Sequence, residues 1–326
     1  MGKFFICIAA LAGVIVSGLN PAAAAEFYLR LGHGAAPDNP RHIVAKEFAA
    51  AVKDRTSGRV DIEIHHSESL GSDSQMAESL MLGKLDLAIN SQGPIAAYIE
   101  NLNVIGLPFL FSSPEHAYTV LDGDIGAELA RPLERKNMKI LAYWDNGFRH
   151  ITNNRQPIET SEDMRDLRIR VPEDALTLAI FKALGAEPTP LAFSKLHEAL
   201  GEDLFDGQEN PLTNIYFSKL YEVQKYLSLS NHKYECCPVV MSLRTWRMLP
   251  NDVREIIMDC AREFAGRHRS MVNGMNAELM DKLVEAGMRM NEVDTDEMRR
   301  RCASVYADFE KVFGKELVSR IAVLAR

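Results

Sequence analysis

No segment of this sequence beyond the first 25 residues is long and apolar enough to cross a bilayer. Dense basic runs are missing as well. Lys plus Arg is 37 against 45 Asp plus Glu, a formal charge of −8, so nucleic acid and anionic membrane surfaces find no matching patch and are excluded as partners. Cysteine is sparse: of five, Cys236, Cys237, Cys260 and Cys302 follow residue 25. Their spacing fits no zinc pattern, and a bridge between the adjacent Cys236 and Cys237 would be strained. Buried free thiols are the expectation. Catalytic signatures are absent too. Gly32-His33-Gly34 opens like a dinucleotide fingerprint, but Pro37 stands where the third glycine belongs. There is no P-loop and no nucleophile elbow. Ser230–Lys233 matches S-x-x-K without its companion motifs. The nine histidines contain no H-E-x-x-H or H-x₃-H pair, and His65 and His66 point to opposite faces of a strand. The sequence therefore predicts no metal, no cofactor and no enzyme.

What is present is ordinary globular material, 47% hydrophobic and 25% charged. Residues 1–25 form a secretory signal: Lys3, an apolar run from Phe4 to Val16, and Ala23-Ala24-Ala25 before the cleavage point. Cys7 lies inside that run, away from the cleavage point, which argues against a lipid anchor. The mature chain then starts near Glu26, in the periplasm.

Phe27–Leu31 and Val60–Ile64 alternate apolar and polar residues as strands do. Between them, Asn39-Pro40 caps a helix whose Val44, Phe48 and Val52 share one face. Ser74–Leu82, closed by Gly83, and Leu85–Ile89 complete a β-α-β-α-β opening, the signature of an open α/β sheet. The pattern resumes with strands Lys139–Tyr143 and Leu167–Val171, helices Ala175–Leu184 and Lys195–Leu200, and a turn at Asp206–Pro211. From Asn251 to Ala286 no proline interrupts a helical stretch on the order of 50 Å long, enough to bridge two domains. A further helix is expected over Asp294–Phe313.

Two arginines stand out. Arg170 ends the strand L-R-I-R-V just before Pro172, and ligands of open α/β sheets sit at the carboxyl ends of strands. A guanidinium there presents a planar fork to a carboxylate. Arg149 follows Trp144 and Phe148. For each arginine, a solvated surface position is the alternative.

Four segments in fixed order, G-F-R-H-I-T-N-N-R (147–155), E-D-M-R-D-L-R-I-R-V-P (162–172), L-G-A-E-P-T-P-L-A-F-S (184–194) and D-G-Q-E-N-P (206–211), resemble the solute-binding subunits of tripartite ATP-independent periplasmic (TRAP) transporters, the DctP family. Leu70-Gly71, Gly83-x-Leu85-Asp86 and the long helix after Leu249-Pro250 fit the same resemblance. It implies a periplasmic-binding-protein-like α/β fold: residues 26–147 with about 236–275 as one domain and 148–235 with about 276–326 as the other, spanned by the long helix. It also implies a monomeric receptor that passes a small organic acid to small and large TRAP membrane subunits. By resemblance, Arg170 pairs with the ligand carboxylate, Arg149 is a second ligand arginine, Asn210 bonds the same carboxylate, Phe193 packs on the ligand, and Asp73 reaches its distal end. Ala88–Gln92 lacks the carboxylate of sialate binders, and Gly34 replaces their asparagine, leaving His33 as the nearby polar group. His33, Asp73, Asn90, Ser91, Gln92, Trp144 and Asn146 together suit a hydroxylated ligand, so a sugar acid (hexuronate or aldonate) is preferred. A C4-dicarboxylate or keto acid, or service to an ATP-driven transporter, is the alternative.

Overall fold

The computed structural model describes residue 2 and residues 25–324; nearly all of the segment expected to be a signal peptide lies outside the described residues. Strand β1 (Phe27–Gly32) runs parallel to β2 (Val60–His65). They are joined by helix α1 (Pro40–Arg55), where the Asn39 side chain accepts a hydrogen bond from the Arg41 amide at 2.9 Å. Val44, Phe48 and Val52 are fully buried, as their four-residue spacing predicts. Helix α2 (Asp73–Met81) opens on a capping box in which Ser72 and Gln75 satisfy each other's backbone amides. It leads to β3 (Leu87–Ile89), parallel to β1.

The next two long strands carry the architecture. β4 (Met138–Asn153) extends ten residues beyond the expected Lys139–Tyr143 and runs antiparallel to β8 (Tyr226–Ser242), which the sequence reading did not find. Between them come β5 (Arg168–Val171), β6 (Glu187–Pro190) and β7 (Gly207–Asn210). The strand order is β2-β1-β3-β8-β4-β7-β5-β6, with β9 (Arg289–Glu292) on the free edge of β8. One end of the β4–β8 pair joins β3 and the other joins β7. Their ladder slips at Ile140/Ala142, Asp145/Gly147 and Arg149/Ile151. Bulges of this kind bend a strand and re-aim its side chains, and Gly147 takes φ +104° there.

The helix Asn251–Glu285 is continuous. Val253, Ile257, Cys260, Ala261 and Ala265 enter the core beneath β1, β3 and α1, whereas Leu279 and Leu283 enter a separate core with Leu212 and Ile215. One helix thus ties two cores together. The four cysteines after residue 25 are buried and free. No helix among the described residues is long and apolar enough to cross a membrane.

Two expectations are corrected. Asp206–Pro211 is not a turn: its Gln208, Glu209 and Asn210 form a buried strand pairing with both β4 and β5. The helix expected over Asp294–Phe313 is two, Thr295–Arg301 and Ala303–Phe313, parted at Cys302. The close approach of β7 to β4 requires a glycine. A Cβ on Gly207 would lie 2.2 Å from the Thr152 carbonyl oxygen. Gly207→Ala is expected to destabilise the fold by about 1–3 kcal/mol through overpacking, read as a lowered urea midpoint.

Candidate ligand-binding cleft

A cavity opens where the carboxyl ends of β1, β3, β5, β6 and β7 converge, the position predicted for ligands of open α/β sheets. Of the expected site residues, Arg170, Arg149, Asn210, Phe193, Asp73 and Ser91 line it.

Arg170 and Arg149 differ in electrostatic state. Arg170, at the end of β5, is 2% exposed. Its Nε donates to the Leu191 carbonyl at 2.9 Å and Nη2 to the same oxygen, and the ring of Phe193 lies 5.9 Å from the guanidinium carbon. Among the described residues no acidic side chain pairs with it. Burial therefore pulls its pKa down to about 10, only partly offset by the more distant Glu209. Arg149, in the middle of β4, is equally buried but fully matched. Its Nε bonds Glu209, its Nη1 bonds Glu235, and its Nη2 reaches Glu209 Oε1 at 2.7 Å and Asn210 Oδ1 at 3.2 Å. Burial opposes its charge, but the two glutamates outweigh that and raise its pKa.

The matching extends outward. His232, held neutral by burial, bonds Glu209 at 3.2 Å and Ser230 at 2.8 Å. Lys233 donates to Asp174 and Thr177, each at 2.6 Å. Arg149 is therefore built into the floor of the site. It holds Asn210 in place, and Asn214 Nδ2 bonds the same Asn210 oxygen at 3.0 Å.

The opposite wall is acidic. Asp73 Oδ2 accepts the Ser91 amide at 2.9 Å, while Oδ1 is buried without a partner. Burial, with Glu68 adding to it, raises the Asp73 pKa to about 6. Glu68 accepts the Ser194 amide at 2.8 Å, and Asn39 Nδ2 bonds Asn214 Oδ1 at 3.3 Å. These two bonds join the β1 side of the cleft to the β6–β7 side.

His33 and Trp144 do not line the cavity. His33 is fully buried behind the loop after β1. It accepts the Ala35 amide at 3.1 Å and contacts His42 at 3.1 Å, and burial drops its pKa to about 2. It shapes the loop and offers the cleft nothing. Trp144 sits in the core, its indole donating to the Ala261 carbonyl at 3.0 Å and its ring stacked on His268. The bulged β4 turns this side chain toward the long helix. Asn146 likewise spends its amide on Arg41 and Glu235. The sequence reading missed Glu68, Asn214 and Arg41. Arg41 did carry a signal: a cation in the first turn of a helix opposes the helix dipole, and α1 has no acidic residue there to offset it.

Residues 31–312 match the family described as bacterial extracellular solute-binding protein, family 7 (DctP), and the chain belongs to it. Protein y4mM of Sinorhizobium fredii is 41% identical over 90% of this chain, which spans 54% of that protein's length. A TRAP periplasmic solute-binding protein from Polaromonas sp. JS666, solved bound to D-erythronate, is 34% identical with a TM-score of 0.89, covering 91% of this chain and 98% of its own. The sugar acid binding protein of Advenella mimigardefordensis, solved with galactonate, is also 34% identical with a TM-score of 0.89, covering 93% and 98%.

The contrast between the arginines sets opposite expectations for the ligand-free protein. Arg149→Met strands Glu209 and Glu235 and costs about 3–5 kcal/mol. Arg170→Met removes an unmatched buried charge and leaves stability unchanged or raised. Urea titration of both variants checks this.

Asp73 gives a pH signature. Its folded pKa of about 6 exceeds the ordinary 3.8, so between these values the folded state holds a proton that the unfolded state has lost. Its contribution to stability therefore falls as pH rises through that window, by about 3 kcal/mol in all. Asp73→Asn is expected to remove this slope when unfolding free energies are compared from pH 4 to pH 7.5.

Proposed function

We propose that this chain, as a member of the DctP family, is a periplasmic receptor that binds a small hydroxylated carboxylate, a hexuronate or aldonate, and delivers it to a TRAP permease. The observation that carries the reading is Arg170: a guanidinium 2% exposed, at the carboxyl end of β5, with no acidic partner among the described residues and facing the cleft. A ligand carboxylate entering the cleft loses water, at several kcal/mol unless charge and hydrogen bonds replace it. Arg170 supplies the charge and a directional donor, Asn210 an amide beside it, and Phe193 an apolar face. The sugar acids bound by the Polaromonas and Advenella proteins support the same ligand class.

In this reading the chain acts without catalysis, as a monomer, after removal of residues 1–25. Residues 26–147 with about 236–275 form one domain and 148–235 with about 276–326 the other, and β4, β8 and the long helix connect them. The Glu68–Ser194 and Asn39–Asn214 bonds then act as latches of the closed form, and a ligand drives closure through contacts available only in that form.

A thermal-shift screen over galactonate, erythronate, glucuronate, succinate, malate and pyruvate tests the proposal. Sugar acids are expected to stabilise the protein most. Arg170→Ala is expected to weaken the best of them by about 2–5 kcal/mol in calorimetry. Stabilisation by succinate or malate with no response to any polyol acid would reverse the ligand class in favour of a C4-dicarboxylate. An Arg170→Ala variant of undiminished affinity would end the carboxylate reading itself.

A further inference from the structure

Arg41 lies in the first turn of α1 and lines the cleft on the wall opposite Arg170. It is 4% exposed. One amino group donates to Asn146 Oδ1 at 2.7 Å, yet its Nε is buried with no partner, and among the described residues no acidic side chain pairs with it. On the same wall, Asp73 Oδ1 is also buried without a partner. Arg41, Asp73 and Gly34 all line the same cavity. The two side chains do not bond each other. The wall thus holds an unsatisfied donor and an unsatisfied acceptor on two side chains that line one cavity.

We propose that Arg41, with Asp73, forms a second polar subsite that reads a hydroxyl group of the ligand, making Arg41 a specificity-determining residue. The argument is one of matching. A hydroxyl accepts from a guanidinium with its lone pairs and donates its proton to a carboxylate, so one group satisfies both side chains. A second carboxylate only accepts: it would serve Arg41 but leave Asp73 unmatched and add a negative charge beside Asp73 and Glu68. A methyl group would serve neither and leave two buried polar groups stranded, the costly case in recognition. Asn146 connects the subsite to the floor, since its amide accepts from Arg41 and donates to Glu235 at 2.7 Å. That bond fixes the direction of the Arg41 guanidinium. The inference rests on the sugar-acid reading and sharpens it: the ligand is a monocarboxylate with a hydroxylated far end.

Calorimetry on the wild type, Arg41→Met, Arg41→Lys and Arg170→Met tests it, using the strongest sugar acid of the screen and succinate as probes. Arg41→Met is expected to lose about tenfold or more in affinity for the sugar acid, with Arg41→Lys recovering part of that loss and Arg170→Met losing binding altogether. The preference for sugar acid over succinate should fall in Arg41→Met. A wild type that binds succinate and no sugar acid overturns both readings. A wild type that binds the sugar acid, with both Arg41 variants binding it as tightly, overturns the Arg41 assignment alone. So does a loss confined to succinate, which would make Arg41 a reader of a second carboxylate. Thermal unfolding of each unliganded variant shows whether it folds, and Arg41→Lys carries the test if Arg41→Met does not.

Discussion

The cleft is organised around a buried positive charge, Arg170, that no acidic side chain among the described residues neutralises. Arg170 lies among residues that satisfy its hydrogen bonds through a carbonyl but not its charge. A guanidinium in such a place costs stability, and the fold bears that cost only because everything around it is fixed. The end of β5 positions the side chain, Leu191 orients it, and β7 places Asn210 next to it. An anion of the right shape returns the lost energy on binding, so affinity comes from a debt built into the empty fold.

The neighbouring Arg149 shows the opposite arrangement. Two glutamates from β7 and β8 neutralise it, a neutral histidine shares one of them, and a lysine–aspartate pair closes the outer edge. A buried network of this kind holds because its charges are paired, although Glu235 Oε1 has no hydrogen-bond partner among the described residues. Here it runs across the middle of β4 and β8 and onto β7, beside the register shifts of the β4–β8 ladder. The same residues that hold Arg149 therefore join β4, β7 and β8 beneath the cleft. Resemblance gives both arginines to the ligand, and both line the cavity, but Arg149 is paired with two glutamates and Arg170 with a carbonyl only.

Much of the fold was legible where burial follows hydropathy. The alternation in β1 and β2, the Asn39-Pro40 cap and the four-residue spacing of α1 each express a local rule that the tertiary structure leaves intact. Legibility failed where polar residues are buried. Gln208, Glu209 and Asn210 resemble a turn because each side chain is polar, yet all three are interior and paired with residues distant in sequence. β8 stayed hidden for the same reason, since Lys233 and Glu235 interrupt its apolar pattern and are matched only in three dimensions. Trp144 misled in the other direction: its place beside Asn146 and Arg149 suggested the cleft, but alternation along a bulged strand turns it into the core. Arg41 was visible only as a charge in the wrong turn of a helix.

The interleaving of the chain has a consequence for how it reaches its final shape. The β3 edge at Leu87–Ile89 finds its β8 partner only at Val239–Met241, about 150 residues later, and β4 waits for β8 across roughly 70 to 100 residues. Strands β1, β2 and β3 pair among themselves, but the central β4–β8 ladder cannot be completed until Ser242 is present. A polypeptide with such long-range pairings cannot close its central sheet until its last third has been made.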